Sequence, residues 1–127
     1  MPIKATQNKD KNLTIHVATG QVTEEDVITT VKSFYAGKTT ELILWDLSQA
    51  DMVTITPAVI QQIIKITAKT SANRRRGKTA AAAPSDLKFG LGRMAESYAE
   101  LEALPFNYRV FRSRQEALQW LMPNNDT

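Results

Sequence analysis

The sequence contains no cysteine and only one histidine, His16, among its 127 residues. The lack of cysteine excludes disulfides, thiolate nucleophiles and cysteine metal sites, and a single histidine excludes a metal site built from several histidines. Nothing near His16 in the sequence suggests a catalytic partner, and the residue is predicted to lie partly exposed on a strand. We therefore expect no catalytic residues, no bound metal ion and no cofactor.

Long apolar runs are also missing. No run approaches the roughly 18 residues of a membrane span, and the first residues lack the apolar core of a secretion signal. Hydrophobic residues make up 43% of the chain and charged residues 23%, which is typical of a globular protein. The length suits one domain. We expect a single cytoplasmic domain over residues 1–127, in which residues 123–127 form a frayed tail.

Acidic residues are absent between Asp51 and Asp86, and this interval holds the excess positive charge of the chain. The net charge of +3 is poor evidence for nucleic-acid binding, because the rest of the chain is slightly acidic. The basic residues in the interval are Lys65, Lys69, Arg74, Arg75, Arg76 and Lys78. The simpler interpretation is a solvated helix end and loop. The alternative is a basic patch that contacts anionic lipid, an acidic partner or nucleic acid.

Apolar periodicity and turn residues predict secondary-structure elements in the order ββαβαβαβα. Strands are predicted over residues 3–6, 13–19, 41–47, 78–83 and 108–112. Helix caps are predicted at Thr23, Thr56 and Ser113, and the third helix over residues 86–103. Strands that alternate with helices indicate right-handed crossovers and a sheet between helical layers. The expected fold class is α/β, with a mixed, mostly parallel sheet of about five strands and about four helices.

The carboxyl ends of the strands are the first place to seek a site, because ligands of parallel sheets gather there. The polar residues that this rule selects are Asp46 at the end of the central strand and Ser85 and Asp86 after the alanine-rich strand. The simpler role of Asp46 is to accept hydrogen bonds from nearby loop amides. An aromatic-lined cavity for an acyl or other apolar ligand is a further alternative, since ligand sites are concave and mostly apolar.

Two glycines in the third helix match the spacing of a dinucleotide-binding loop, in the sequence Gly90-Leu91-Gly92-Arg93-Met94-Ala95. The context differs, because such a loop follows its strand directly and an acid ends the next strand. We therefore interpret Gly90 and Gly92 as sites of close packing or local irregularity.

The order of elements, together with particular segments, resembles the STAS domain of anti-sigma factor antagonists, in the bacterial SpoIIAA-like family. One segment is Leu44-Trp45-Asp46-Leu47-Ser48, which leads into a helix at Pro57. The others are residues 89–94 in the third helix and residues 108–112 and 116–121 at the end of the chain. The resemblance covers nearly the whole chain and implies the STAS-like fold and a role in binding without catalysis.

The resemblance also implies a site at the start of the second helix. In the antagonists an Asp-Ser-Ser-Gly motif precedes this helix, and a kinase phosphorylates its second serine. The matching positions here are Thr54, Ile55, Thr56 and Pro57, so that Thr56 keeps a hydroxyl at the phosphoacceptor position. The resemblance therefore implies a phosphoacceptor or anion site at Thr56, with Thr54 and Ser48 beside it. The simpler role of Thr56 is to cap the helix.

Together these observations predict a non-enzymatic regulatory module that recognises a protein partner around the start of the second helix. The resemblance implies a kinase or an anti-sigma-like regulator as that partner, with phosphorylation as a modulator. The alternative is a binder of a small apolar or anionic ligand, such as membrane lipid. Self-association through a sheet edge or a helix face would suit so small a domain, but no pattern selects a homo-oligomer.

Overall fold

The computed structural model describes residues 2–123, which contain one five-stranded sheet. The strands lie side by side in the order of the sequence; β1 pairs antiparallel with β2, and the other neighbours pair parallel. They are β1 (Ile3–Asn8), β2 (Leu13–Gln21), β3 (Leu42–Asp51), β4 (Lys78–Ala82) and β5 (Asn107–Phe111). The predicted mixed, mostly parallel sheet is confirmed. Residues 124–127 of the predicted frayed tail lie outside the described residues.

Within residues 2–123 four helices follow the strands, each after a hydroxyl side chain that caps its first turn. The helices are α1 (Glu24–Ala36), α2 (Pro57–Thr70), α3 (Asp86–Leu101) and α4 (Arg114–Leu121). The side-chain oxygens of Thr23, Thr56, Ser85 and Ser113 each accept a hydrogen bond from a backbone N–H three residues later. The predicted caps of α1, α2 and α4 are therefore confirmed, and Ser85 caps α3.

The three helices that connect parallel strands lie on one face of the sheet. Each parallel connection steps to the next strand in the same direction, so right-handed crossovers place α1, α2 and α3 on the same side. On the opposite face α4 packs against β3, β4 and β5. The sheet therefore lies between two unequal helical layers.

The alanine-rich strand β4 shows how closely both layers approach the sheet. Ala80 and Ala82 pack under α4, whereas Ala81 faces the three-helix layer. All three residues are almost completely buried. Their small side chains let helices approach both faces, as the sequence predicts.

The paired strands β2 and β3 extend beyond their predicted ends at Gly20 and Leu47. After an irregularity between Val17 and Thr19, the parallel pairing resumes and continues to Gln21. Gly20 adopts a φ of 69°, a conformation that favours glycine, so the strand passes through the residue that was predicted to end it. As a consequence Ser48 lies within β3 and not in a loop.

Gly92 lets α3 pack directly against β5. A Cβ atom at this position would overlap the Val110 side chain, whereas a Cβ atom on Gly90 would meet open space. The predicted close packing is therefore confirmed at Gly92. The next turn of the helix meets the same strand, because the Glu96 carboxylate accepts a hydrogen bond from the Val110 N–H at 2.8 Å.

Candidate functional site

An apolar cavity of about 110 Å³ lies between the sheet and the layer formed by α1, α2 and α3. Strand residues such as Ile43 and Trp45 form its floor, and Phe34, Ile60 and Ile64 belong to the helices that cover it. An engineered apolar cavity of about 150 Å³ binds benzene, so this volume is of the order needed for a small aromatic or aliphatic molecule. The concave, apolar character of the space makes it the first candidate for a binding site.

His16 lies in the wall of this cavity and is only 2% exposed. Its ring stacks in a tilted arrangement on Trp45, with centroids 4.4 Å apart, and meets the ring of Phe34 edge-on at 5.9 Å. Neither ring nitrogen has a hydrogen-bond partner among the described residues. The prediction of a partly exposed His16 is therefore wrong, because the three-helix layer covers the strand face that was expected to meet water.

The surroundings of His16 keep its ring neutral. Burial and the positive charge of Arg74 lower the pKa of His16 to about 4. A neutral imidazole carries one N–H donor and one acceptor nitrogen. The ring of His16 therefore carries one donor and one acceptor that no other described residue uses.

Arg74, which was predicted to belong to a basic patch, is buried in the loop after α2 and is only 2% exposed. Its guanidinium lies over the ring of Phe106, at 4.4 Å from the centroid. It donates hydrogen bonds to the carbonyl oxygens of residues 40, 41 and 78 and to the hydroxyls of Tyr35 and Thr79. Burial lowers the pKa of Arg74, but a guanidinium stays protonated in proteins. None of these acceptors is a carboxylate, although the charge of the Glu41 side chain also favours the protonated guanidinium, so a buried positive charge lies beside the cavity.

The six residues of the predicted basic patch therefore do not share one free surface. Besides the buried Arg74, Lys78 directs its ammonium group inward, where Nζ donates to Trp120 O at 3.1 Å and lies over the Trp120 ring. The planar guanidinium of Arg74 matches carbonyl oxygens that converge on it, which is why this residue turns inward. The exposed members of the patch are Lys65, Lys69, Arg75 and Arg76. For these four residues, contact with anionic lipid stays a prediction.

At the carboxyl edge of the sheet, Asp46 is bound on both carboxylate oxygens. Oδ1 accepts from the Ser48 N–H at 3.0 Å and from the Ser48 hydroxyl at 2.7 Å, and Oδ2 accepts from Arg114 Nη1 at 3.1 Å. Burial alone would raise the pKa of Asp46, but the hydrogen bonds from Ser48 and Arg114 outweigh burial and hold the pKa below its usual range. Asp46 therefore binds the nearby backbone amide, as the simpler interpretation predicts, and also anchors α4.

The other predicted edge residues lie at the start of α3. Ser85 accepts the cap hydrogen bond from the Lys88 N–H at 3.3 Å, and Lys88 Nζ donates to Ser48 O at 3.3 Å. Asp86 forms an exposed ion pair with Arg112 at 2.7 Å. The start of α3 is therefore linked to the backbone of β3 through Lys88 and to the residue after β5 through Asp86.

The predicted hydroxyls near the start of α2 each make a separate hydrogen bond. Thr56 accepts from the Val59 N–H at 3.3 Å, whereas Thr54 donates to Val22 O at 3.1 Å. Ser48 donates to Asp46 instead. Thr56 is exposed, so the position implied for a phosphoacceptor is accessible and also serves as the helix cap.

The loop before α2 contributes to both the cavity and the surface. Met52 and Ile55 are buried and line the cavity, whereas Val53, Thr54 and Thr56 are exposed. Two residues of this segment therefore contact the candidate ligand space. Its three exposed residues lie at the predicted recognition surface.

Neither a group of metal ligands nor a membrane-spanning helix is found among the described residues. Over residues 2–123, no group of three or more histidine, cysteine, aspartate or glutamate side chains is placed to hold a metal ion. In that same span, no helix is both long enough and apolar enough to cross a membrane.

Comparison with known proteins supports the fold. No protein-family model matches the sequence, and no curated protein is significantly similar to it. One of the solved structures that match is an uncharacterised DUF3478-family protein with a SpoIIAA-like fold from Shewanella loihica PV-4. It is 20% identical in sequence and has a TM-score of 0.57, and the match covers 94% of this chain and 91% of that chain. Another is the anti-sigma factor antagonist SpoIIAA in its unphosphorylated form. It is 10% identical and has a TM-score of 0.52, and the match covers 93% of this chain and 96% of that chain. The SpoIIAA-like fold implied by the sequence resemblance is therefore confirmed.

The burial of His16 predicts how stability changes with pH. The unfolded chain binds the imidazole proton with a pKa of 6.5 and the folded protein with a pKa of about 4, so acid favours the unfolded chain between these values. Lowering the pH from 7 to 4 should reduce the unfolding free energy by about 3 kcal/mol through His16 alone. His16→Leu should lack this loss. Urea unfolding of both proteins across this range measures the difference, and parallel pH profiles would contradict a buried neutral His16.

The hydrogen bonds of Arg74 predict a difference between two neighbouring arginines. Arg74→Lys should lower the unfolding free energy by at least about 2 kcal/mol, because one ammonium group cannot reach five acceptors that surround a planar guanidinium. Arg75→Lys is the matched control, since Arg75 is exposed, and should change stability by less than about 0.5 kcal/mol. Chemical denaturation measures both variants. Equal stabilities would show that the buried arginine does not hold the loop in place.

Proposed function

We propose that this chain, which has the SpoIIAA-like fold, is a non-enzymatic regulatory module of the bacterial cytoplasm that binds a small, mostly apolar molecule. The observation that carries the proposal is the cavity between the sheet and the three-helix layer. An acyl or aromatic group is the chemistry that such a space accommodates, because the lining is aliphatic and aromatic apart from a few polar side chains.

The cost of the cavity supports a binding role. Protein interiors are close-packed, and the side chains around a cavity of about 110 Å³ forgo contacts that a filled space would provide. Ala81 on β4 and Ala95 on α3 line the space with small side chains, where larger ones would fill it. A bound apolar molecule restores the lost contacts and therefore stabilises the folded protein.

The loop before α2 gives the module a means of regulation. Met52 and Ile55 would contact a bound molecule, and the exposed residues between and beside them form the surface next to Thr56. A ligand that changes the packing of the buried pair also changes the surface that a partner meets. The proposed ligand and the predicted recognition surface thus act through one segment of chain.

Toluene tests the cavity as a binding site. Toluene should raise the melting temperature of the wild-type protein in a concentration-dependent way, because it binds the folded state alone. Ala95→Leu places a larger side chain in the cavity and should abolish this effect. Ala58→Leu adds the same side chain at an exposed position of α2 and should leave the toluene response unchanged. If toluene leaves the melting temperature of the wild-type protein unchanged, the proposal is contradicted.

Recognition of a protein partner is the second candidate function, and the exposed apolar side chains favour it. Leu87, Met94 and Leu101 are exposed on α3 at intervals of seven residues, so they share one face of that helix. Val53, before α2, is 68% exposed at the carboxyl edge of the sheet. Exposed apolar side chains that share one helix face offer contacts to a protein partner. The proposed partner surface therefore includes this face of α3 as well as the start of α2.

The proposed partner is a regulatory protein of the kinase or anti-sigma type, and phosphate on Thr56 would control its binding. A phosphate there would lie at the positive end of α2, although Pro57 removes one of the N–H donors. Intact-mass spectrometry of the protein from its own host should show a phosphate that Thr56→Ala removes and that Thr29→Ala, an exposed control on α1, retains. An unmodified wild-type protein under all growth conditions would contradict this switch.

A further inference from the structure

We propose that His16 makes the cavity selective for molecules that carry a hydroxyl group on an apolar body. The inference rests on the proposed function, because it assigns the class of ligand that the cavity takes. Its basis is an imidazole that is almost completely buried, lines the cavity and has no hydrogen-bond partner on either ring nitrogen among the described residues. Leaving a buried donor and acceptor unpaired costs free energy, and a ligand that pairs with one of them recovers part of that cost.

The other polar side chains of the lining are already engaged or lie at its border. The Thr67 hydroxyl donates to Ile63 O at 2.8 Å, and the hydroxyls of Tyr35 and Thr79 accept from Arg74. Tyr108 also borders a second cleft on the outside of the protein, next to Glu96 and Arg109. His16 is therefore the lining residue with the clearest capacity to recognise a polar group inside the cavity.

The charge and shape around His16 favour a neutral hydroxyl over other polar groups. The positive charge of Arg74 disfavours a cationic amine, as it disfavours protonation of His16, and an ionised carboxylate would lose its hydration in an otherwise apolar space. A hydroxyl is neutral and can either donate to the unprotonated nitrogen of a neutral imidazole or accept from its N–H, so it can pair with whichever ring nitrogen it reaches. The rings of Trp45 and Phe34 beside His16 suit a flat partner, so a phenol is the simplest molecule with the required features.

Phenol and toluene form a matched pair for the test, because they differ only in a hydroxyl and a methyl group on the same ring. In an apolar cavity without a hydrogen-bond partner, toluene binds better, since phenol must lose the hydration of its hydroxyl. With His16 present, phenol should bind the wild-type protein more tightly than toluene. His16→Leu should shift the ratio of the two dissociation constants at least tenfold towards toluene. Thr67→Val is the control, because its hydroxyl is bonded within α2, and should leave the ratio unchanged.

Nuclear magnetic resonance of the wild-type protein gives a second readout that needs no variant at this position. The sequence has a single histidine, so its ring nitrogen resonances are unambiguous. Phenol should shift these resonances strongly, as expected for a new hydrogen bond, and toluene should shift them little. Binding of phenol that leaves the ring nitrogens unaffected would overturn the inference, even if His16→Leu failed to fold.

The outcomes separate this inference from the proposed function. If neither phenol nor toluene binds the wild-type protein, the cavity is not a binding site and the proposed function fails. If both bind and the ratio is the same in His16→Leu as in the wild-type protein, the cavity binds ligands but His16 does not select them. Preference for phenol that depends on His16 supports both.

Discussion

The buried guanidinium of Arg74 holds together the end of the molecule at which the parallel strands begin. Its hydrogen bonds reach α1, the segment before β3 and the start of β4, so one side chain fixes the relative positions of three elements. Gly77 belongs to the same arrangement, because a Cβ atom there would lie 2.9 Å from both Arg74 Nη2 and Glu41 O. The acceptors are neutral, so the positive charge acts on its surroundings, where it adds to burial in keeping His16 uncharged.

The cavity connects this fixed end of the sheet to the opposite edge. Tyr35 and Thr79 accept hydrogen bonds from Arg74 and also line the cavity, whereas Met52 and Ile55 line it from the loop before α2. A molecule bound between them would press against a network of buried hydrogen bonds on one side and a surface loop on the other. The loop is the side that can yield more readily, because it is joined to the rest of the protein by fewer polar contacts. The proposed regulatory surface lies there.

Local patterns in the sequence were enough to predict the order of elements and the helix caps, because each cap acts on an N–H three residues away. The hydrogen bonds of Arg74 join residues up to 39 positions apart, as in its bond to Tyr35, and no local pattern indicates them. His16 is an intermediate case. Alternation along β2 separates two faces correctly, but it does not show that helices cover both. An aromatic-lined cavity was one of the alternatives that the sequence left open, but its position and shape could not be predicted, since they depend on how three helices meet above the sheet. A signal for the burial of His16 was present in Thr14 and Ala18, because an uncharged face is typical of a strand that is covered on both sides.

The order of the strands has a consequence for how the protein folds during its synthesis. Each strand lies beside the one made just before it, so the sheet can grow at one edge as the chain emerges, and no strand has to be inserted between two others. The lining of the cavity, in contrast, is completed only when the last part of the chain has been made. Leu104, Phe106 and Tyr108 come from the last quarter of the chain and complete its lining. Until these residues arrive, His16 and the apolar side chains of β3 lack part of their cover, so the nascent chain exposes this surface longer than the rest of the three-helix side.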